Sequence, residues 1–409
     1  MIQHRHLSPR PGPGRARGFS LVELMVSLVI GMGLIVTMGL LSNKFETSKR
    51  ESTASSDLSS TAAFLSYDFD RQIRSAGSGF TTGYDDTFGC ELTASKSSTQ
   101  ILPAPAALPD PFASVPQSIR LVPLAVFPVA ASNTTGSDVI QIMTGTGGVG
   151  EVPNQVRSKS VQTNMLRLTS SVGVQSNDLL LIAEKGRPCM LEQVSGSYSA
   201  SSDQVDLAGT YYAAVINGQA LNDRATGSSV NAKAFGLGNA SNNNPPRFNL
   251  LGVNSSNQLV RYDLLGFTNG GTGATQPVPL ADGVMIMRTL YGVDTNGDGL
   301  IDSWVRPGTT GYTASDVTTN AAITRQIIAV KVAMVLRSET VEDKATTTAQ
   351  STTRSTFDVA PATLTLFSSQ ASALQTTYTV TDRQRRHIVV EFTVPLRNLL
   401  ASLRTTPPT

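Results

Sequence analysis

Apolar residues fill the stretch from Phe19 to Leu41 almost without a break, recur every third or fourth position as far as Ile73, and beyond residue 80 gather into short bursts between polar runs. Each regime predicts a different element. The first run is 23 residues long. At about 1.5 Å per helical residue it reaches roughly 34 Å, enough to cross a hydrocarbon core of about 30 Å. Ser42, Asn43, Lys44 and Phe45 after it form no small-residue cleavage site, so the segment is expected to stay as an anchor. In the second regime Leu58, Ala62, Leu65, Phe69 and Ile73 make one apolar stripe, with Asp57, Asp68, Asp70 and Arg71 largely off it. Gly77 and Gly79 supply the stop. The spacing predicts a single helix over 19–76, roughly 85 Å long at 1.5 Å per residue. Gly31, Gly33 and Gly39 each lower its helix propensity by about 1 kcal/mol relative to alanine. They either loosen the helix or let it pack closely on another, and both readings stay open.

The third regime predicts strands: "DVIQIM", "MLRLT", "DLLLIAEKGRPCMLEQV", "QLVRYDLLGF", "VMIMRTLYGV", "QIIAVKVAMVLRS" and "RRHIVVEFTV". Asn222 to Asn249 and Thr340 to Thr356 are polar and poor in aromatics, and read as long loops or partly disordered insertions. No internal repeat stands out. The expected fold class is α+β, a long N-terminal membrane-spanning helix packed on a mainly antiparallel β-sheet head with large insertions. The expected divisions are a leader over 1–18, a membrane half of the helix over 19–41 and an amphipathic exported half over 42–79. A variable β-rich region over 80–280, a core sheet over 281–400 and a tail over 401–409 follow.

Charge changes the picture at the N-terminus. The leader holds Arg5, Arg10, Arg15 and Arg17, no acid and three prolines, and ends at Gly18. Without it the chain has 28 basic against 30 acidic side chains, so there is no nucleic-acid footprint. Glu23 stands five residues into the apolar run. A carboxylate there either snorkels to the interface or has a partner.

A short basic leader ending in Gly18, then Phe19-Ser-Leu-Val-Glu23-Leu and an apolar helix, resembles the type III signal of type IV prepilins and type II secretion pseudopilins. Three further blocks, "FLSYDFDRQIRSAGSGF", "YGVDTNGDGLIDSW" and "RRHIVVEFTVPLRN", are similar in sequence and order to the PilW family of minor pilins. The resemblance implies cleavage between Gly18 and Phe19 by the prepilin peptidase and methylation of the new Phe19 amine. It gives Glu23 an assembly role, pairing with the N-terminal amine of a neighbouring subunit. It implies a pilin fold and a structural, non-enzymatic subunit that starts or caps a type IV pilus, supporting pilus biogenesis, twitching motility and adhesion. Its partners would be other minor pilins, the major pilin and a PilY-type tip adhesin. The precursor would sit in the inner membrane with its head in the periplasm before joining a surface pilus. The alternatives are a minor pseudopilin of type II secretion, related to the J-type subunits, and a membrane-anchored calcium-dependent adhesion or binding module.

Candidate chemistry is sparse. His4, His6 and His387 are the only histidines and assemble no triad or zinc cluster. Gly145-x-Gly147-x-x-Gly150 matches the dinucleotide fingerprint, but Pro153 and the polar run after it leave no helix to seat a pyrophosphate. Asp294, Asn296, Asp298, Leu300 and Asp302 are candidate Ca²⁺ ligands, since a hard cation wants several oxygens converging from a tight loop around Gly299. The twelfth position is Val305 instead of a bidentate glutamate, which rules out an EF-hand. A metal-free turn of a hairpin is the other reading, and both stay open. Cys90 and Cys189 are the only cysteines, an even pair in an exported segment, and are expected to form a disulfide; two buried thiols are the alternative.

Overall fold

The computed structural model describes residues 18, 20–130, 135–146, 152–199, 202–226, 232–241, 244–267, 276–341, 343–348, 351–356 and 358–404. Helix α1 spans Leu21–Ser75, close to the bounds the spacing predicts, and runs unbroken through Gly31, Gly33 and Gly39. The chain divides into two compact units. One holds the helix as far as Thr53 and a two-stranded antiparallel hairpin, Asp343–Thr348 with Ser351–Thr356. The other holds Ala54–Val341 and Asp358 onward.

In the second unit the stripe is buried as its spacing requires: Leu58 is nearly so, and Leu65, Phe69 and Ile73 are completely out of solvent. Each such side chain contributes roughly 1.5–3 kcal/mol by leaving water. The helix stops where Gly77 and Gly79 turn with positive φ, conformations open to glycine at little cost. Its last carbonyls, those of Ser75 and Ala76, accept from the Asn398 side-chain amide.

Three multi-stranded sheets surround that stripe. The six-stranded sheet has the order Thr99–Leu102, Leu92–Lys96, Cys189–Gln193, Asp178–Ala183, Lys233–Asn239, Asn154–Gln155, with one parallel pairing, Leu92–Lys96 beside Cys189–Gln193. The five-stranded sheet, Val278–Ala281, Leu259–Asp263, Arg247–Val253, Val139–Thr144, Leu124–Phe127, is antiparallel throughout. So is the C-terminal sheet, in the order Ser303–Val305, Val284–Val293, Ile327–Val341, Arg385–Pro395. All three send residues into one core with α1.

Alternation decides what lies on the other faces. In the six-stranded sheet Leu179, Leu181, Cys189 and Leu191 join the helix core, while Leu180, Ile182 and Met190 form a second core with Leu166, Val205 and Leu221. In the C-terminal sheet Ile286, Leu290, Ala333 and Val335 face away from the helix core and pack on Leu366, Phe367 and Tyr378. That sheet is covered on both sides. Double coverage is why its central strands read as nearly continuous apolar runs.

Two expectations are corrected. The polar stretch Asn222 to Asn249 contains Lys233–Asn239, a strand of the six-stranded sheet in register with Asp178–Ala183, and the start of Arg247–Val253. Buried Phe235 and Leu237 hold it there despite its glycines. Thr340 to Thr356 holds the antiparallel hairpin, where the β-branched threonines favour a strand in spite of their polarity.

Candidate functional site

Helix α1 begins at Leu21, and its first backbone bond runs from the Leu24 amide to the Ser20 carbonyl. Glu23 lies in the first turn and is exposed, where the unpaired amides of a helix start favour an anion. Leu21–Ser42 is apolar enough to cross a membrane, with mean hydropathy 2.4 and no part of it buried. Gly18 is exposed beside it; Phe19 lies outside the described residues. Among the described residues no contact bears on the expected processing at Gly18 and Phe19 or on the expected pairing of Glu23.

The acidic loop joins Val284–Val293 to Ser303–Val305, the hairpin expected from the sequence. Gly297 and Gly299 both take positive φ. Asp294 is buried, and its two carboxylate oxygens accept from the Gly297 and Gly299 amides at 2.6 and 2.7 Å. Asp302 accepts from the Thr295 amide at 2.8 Å and hydroxyl at 2.6 Å, and these bonds hold its carboxyl below the usual range. The Asn296 side-chain amide donates to Asp298 at 3.2 Å and to Asp302 at 3.4 Å. The Leu300 amide donates to Asp298, and the Leu300 side chain is exposed. The donor set suits a hard cation in kind. In arrangement the loop satisfies its own acids, and among the described residues no three His, Cys, Asp or Glu side chains gather as a metal site.

Cys90 and Cys189 are joined by a disulfide with Cα atoms 5.7 Å apart, tying the segment after the helix to a strand of the six-stranded sheet. His387 sits half-buried on the strand Arg385–Pro395, its Nδ1 2.9 Å from the Arg385 carbonyl, and burial pulls its pKa down. It serves the strand. Gly145 does not serve a nucleotide: its amide donates to the Ser78 carbonyl, and a Cβ there would meet that oxygen at 2.7 Å. Gly147 and Gly150 lie outside the described residues.

Sequence reasoning missed a buried polar cluster on the rim of the C-terminal sheet. Asp138 accepts from Arg288 at 3.2 Å, from the Thr289 amide and hydroxyl at 2.9 Å each, and from the Val129 amide at 3.2 Å. Opposite charges set inside two apolar runs, "DVIQIM" and "VMIMRTLYGV", were the available signal.

Comparison with known families follows this division of the chain. Residues 239–398 match the family model described as Type IV Pilus-assembly protein W. Residues 14–41 match the Prokaryotic N-terminal methylation motif. No curated protein matches, and no solved structure does. The matched segment takes in the whole C-terminal sheet and ends on Asn398, the residue that caps α1. Residues 239–398 are thus similar to the PilW family of type IV pilus assembly proteins, and residues 14–41 to the prepilin-type methylation signal.

Proposed function

We propose that the chain is a minor pilin that helps to initiate or cap a type IV pilus at its tip, and so supports pilus biogenesis, twitching motility and adhesion. One observation carries the reading: Glu23 stands in the first turn of an exposed, membrane-length helix directly inside the methylation motif. A charge in that position is tolerated when a partner neutralises it, and in a filament the partner is the methylated Phe19 amine of the next subunit. The prepilin peptidase cleaves after Gly18, and the inner membrane holds the precursor with its head in the periplasm. Other minor pilins, the major pilin and a PilY-type adhesin are the partners. Deleting the gene should reduce surface pili and twitching. Glu23→Ala should leave the protein in the membrane while depleting it from sheared pili, and equal recovery of mutant and wild type would refute the pairing. A mature chain beginning at N-methylated Phe19, read by mass spectrometry of the membrane fraction, is the accompanying expectation.

Calcium at Asp294, Asn296, Asp298, Leu300 and Asp302 is a separate proposal. Its support is the oxygen-only donor set and the Asn296 amide standing between Asp298 and Asp302. The full chain in detergent should melt higher in millimolar calcium than in chelator, and Asp298→Ala should abolish the difference. Equal melting of the wild type in both would refute it.

A further inference from the structure

The two edges of the C-terminal sheet are finished differently. On one side the outer edge of Val284–Val293 is closed along its length. Its Val284 amide donates to the Asn257 carbonyl, and Met287 exchanges bonds with Ser137 and Asp138. The Thr289 amide donates to the Asp138 carboxylate, and Tyr291 to Val293 pair with Ser303–Val305. On the other side the last strand is Arg385–Pro395, 11 residues long and, among the described residues, paired only with Ile327–Val341. Edge strands of the other two large sheets run to only 2–4 residues, the usual protection against unwanted pairing.

The register says which groups are left over. The Leu396 amide donates to the Ile328 carbonyl. In an antiparallel ladder, hydrogen-bonded pairs alternate with non-bonded ones. Counting back along the register, Val394, Phe392, Val390 and Ile388 bond to the neighbouring strand. Thr393, Glu391 and Val389 therefore aim their amides and carbonyls outward. Pro395 falls on an outward position too, where its missing N–H does no harm to the ladder. Ile388, Val389, Val390 and Phe392 are only half-buried, whereas the apolar residues of the two central strands other than Met285 and Val341 are buried.

We infer that the Ile388–Val394 edge is an acceptor for an extended strand of another polypeptide, which adds as a fifth strand through the outward groups of Val389, Glu391 and Thr393. Such an edge recognises a strand by main-chain bonds and chooses it by alternate side chains. The incoming strand carries apolar residues on the side of Ile388, Val390 and Phe392, which pack toward the helix core. It carries uncharged polar residues opposite Glu391 and Thr393, both exposed. A second copy of this chain is a poor occupant. The antiparallel register that pairs all of 388–394 with itself centres on Glu391 and sets two carboxylates opposite one another, which destabilises a ladder. The inference does not rest on the pilus reading, since it concerns only the sheet.

The test uses the full chain in detergent and a heptapeptide copy of residues 388–394, with glutamine in place of the Glu391 side chain and lysines at both ends. Binding should protect the amides of Val389, Glu391 and Thr393 from hydrogen exchange, while those of Val390 and Phe392 are protected already. Thr393→Pro removes one outward amide and should weaken binding about tenfold, whereas Thr393→Val should stay within about twofold of wild type. Matching melting points of the three proteins would show that the fold is intact. Absence of binding to the wild type, equal binding by Thr393→Pro, or protection of the three outward amides without peptide would overturn the inference. So would a concentration-dependent homodimer that Thr393→Pro abolishes.

Discussion

Asp138 and Glu192 are both buried acids, one on the rim of the C-terminal sheet and the other on the six-stranded sheet. Asp138 meets Arg288, Thr289 and Val129. Glu192 has the Ala213 amide at 3.1 Å on one oxygen and no hydrogen-bond partner on the other. Burial raises both pKa values, but Arg288 and the Thr289 bonds hold back the shift on Asp138, while Glu192 rises well above the ordinary carboxylate range. The first acid is an ionic fastener between the segment before Val139–Thr144 and the sheet edge. The second is better accommodated as a neutral acid in an otherwise apolar core. The Asp138 carboxylate is thus matched by a residue of the segment that carries the family match, Arg288, whereas Glu192 is matched on one oxygen only.

The strongest way to break the contrast is Asp138→Ala. It strands Arg288 in the interior and opens the rim, and should destabilise by about 3–5 kcal/mol in denaturant unfolding. Asp138→Leu combined with Arg288→Met should recover most of that loss, because two apolar side chains need no partner. A smaller effect is expected from removing the disulfide with Cys90→Ala and Cys189→Ala together, about 2–4 kcal/mol. Hydrogen exchange should then rise more in Asp178–Ala183 and Cys189–Gln193 than in Ile327–Val341, because the bond anchors only the six-stranded sheet.

Glu192→Gln should give the smallest change, visible mainly as pH dependence. With its folded pKa raised, Glu192 binds its proton more tightly in the folded state than in the unfolded chain, where the value is about 4.3. Its contribution is therefore complete below that value and is lost as pH rises toward the folded one. Glu192→Gln should flatten this decline, so that the mutant gains on the wild type in melting temperature from pH 5 to pH 8. Parallel curves for the two proteins would place the unmatched charge elsewhere.

Legibility along the sequence tracks how each element is buried. The stripe through Leu58, Leu65, Phe69 and Ile73 is one-sided and showed the helical period. Val284–Val293 and Ile327–Val341 are covered on both faces and showed as apolar runs. Lys233–Asn239 did not show, because three of its partners' contacts are made by glycine and alanine backbone and its only large apolar residues are Phe235 and Leu237. Gly18, Phe19 and Glu23 were legible as part of a signal because they fall within a short contiguous motif, the stretch that matches the methylation motif. The Asp294 to Asp302 loop was legible as a turn through Gly297 and Gly299, while its ligand depends on the positions of oxygens that sequence spacing leaves undetermined. The Asp138 cluster joins residues 150 apart and more, a pairing that local pattern does not encode.

The Asn398 cap sets an order of events. The carbonyls of Ser75 and Ala76 wait for a side chain 323 and 322 positions later in the chain. Loop closure over such a separation is entropically slow to arrive, so contacts of this kind form late. During synthesis the helix is complete long before its own terminus can be sealed. Until then the end of α1 and the unfilled C-terminal sheet are open together, and a nascent chain halted short of Asn398 would present both at once to whatever holds it.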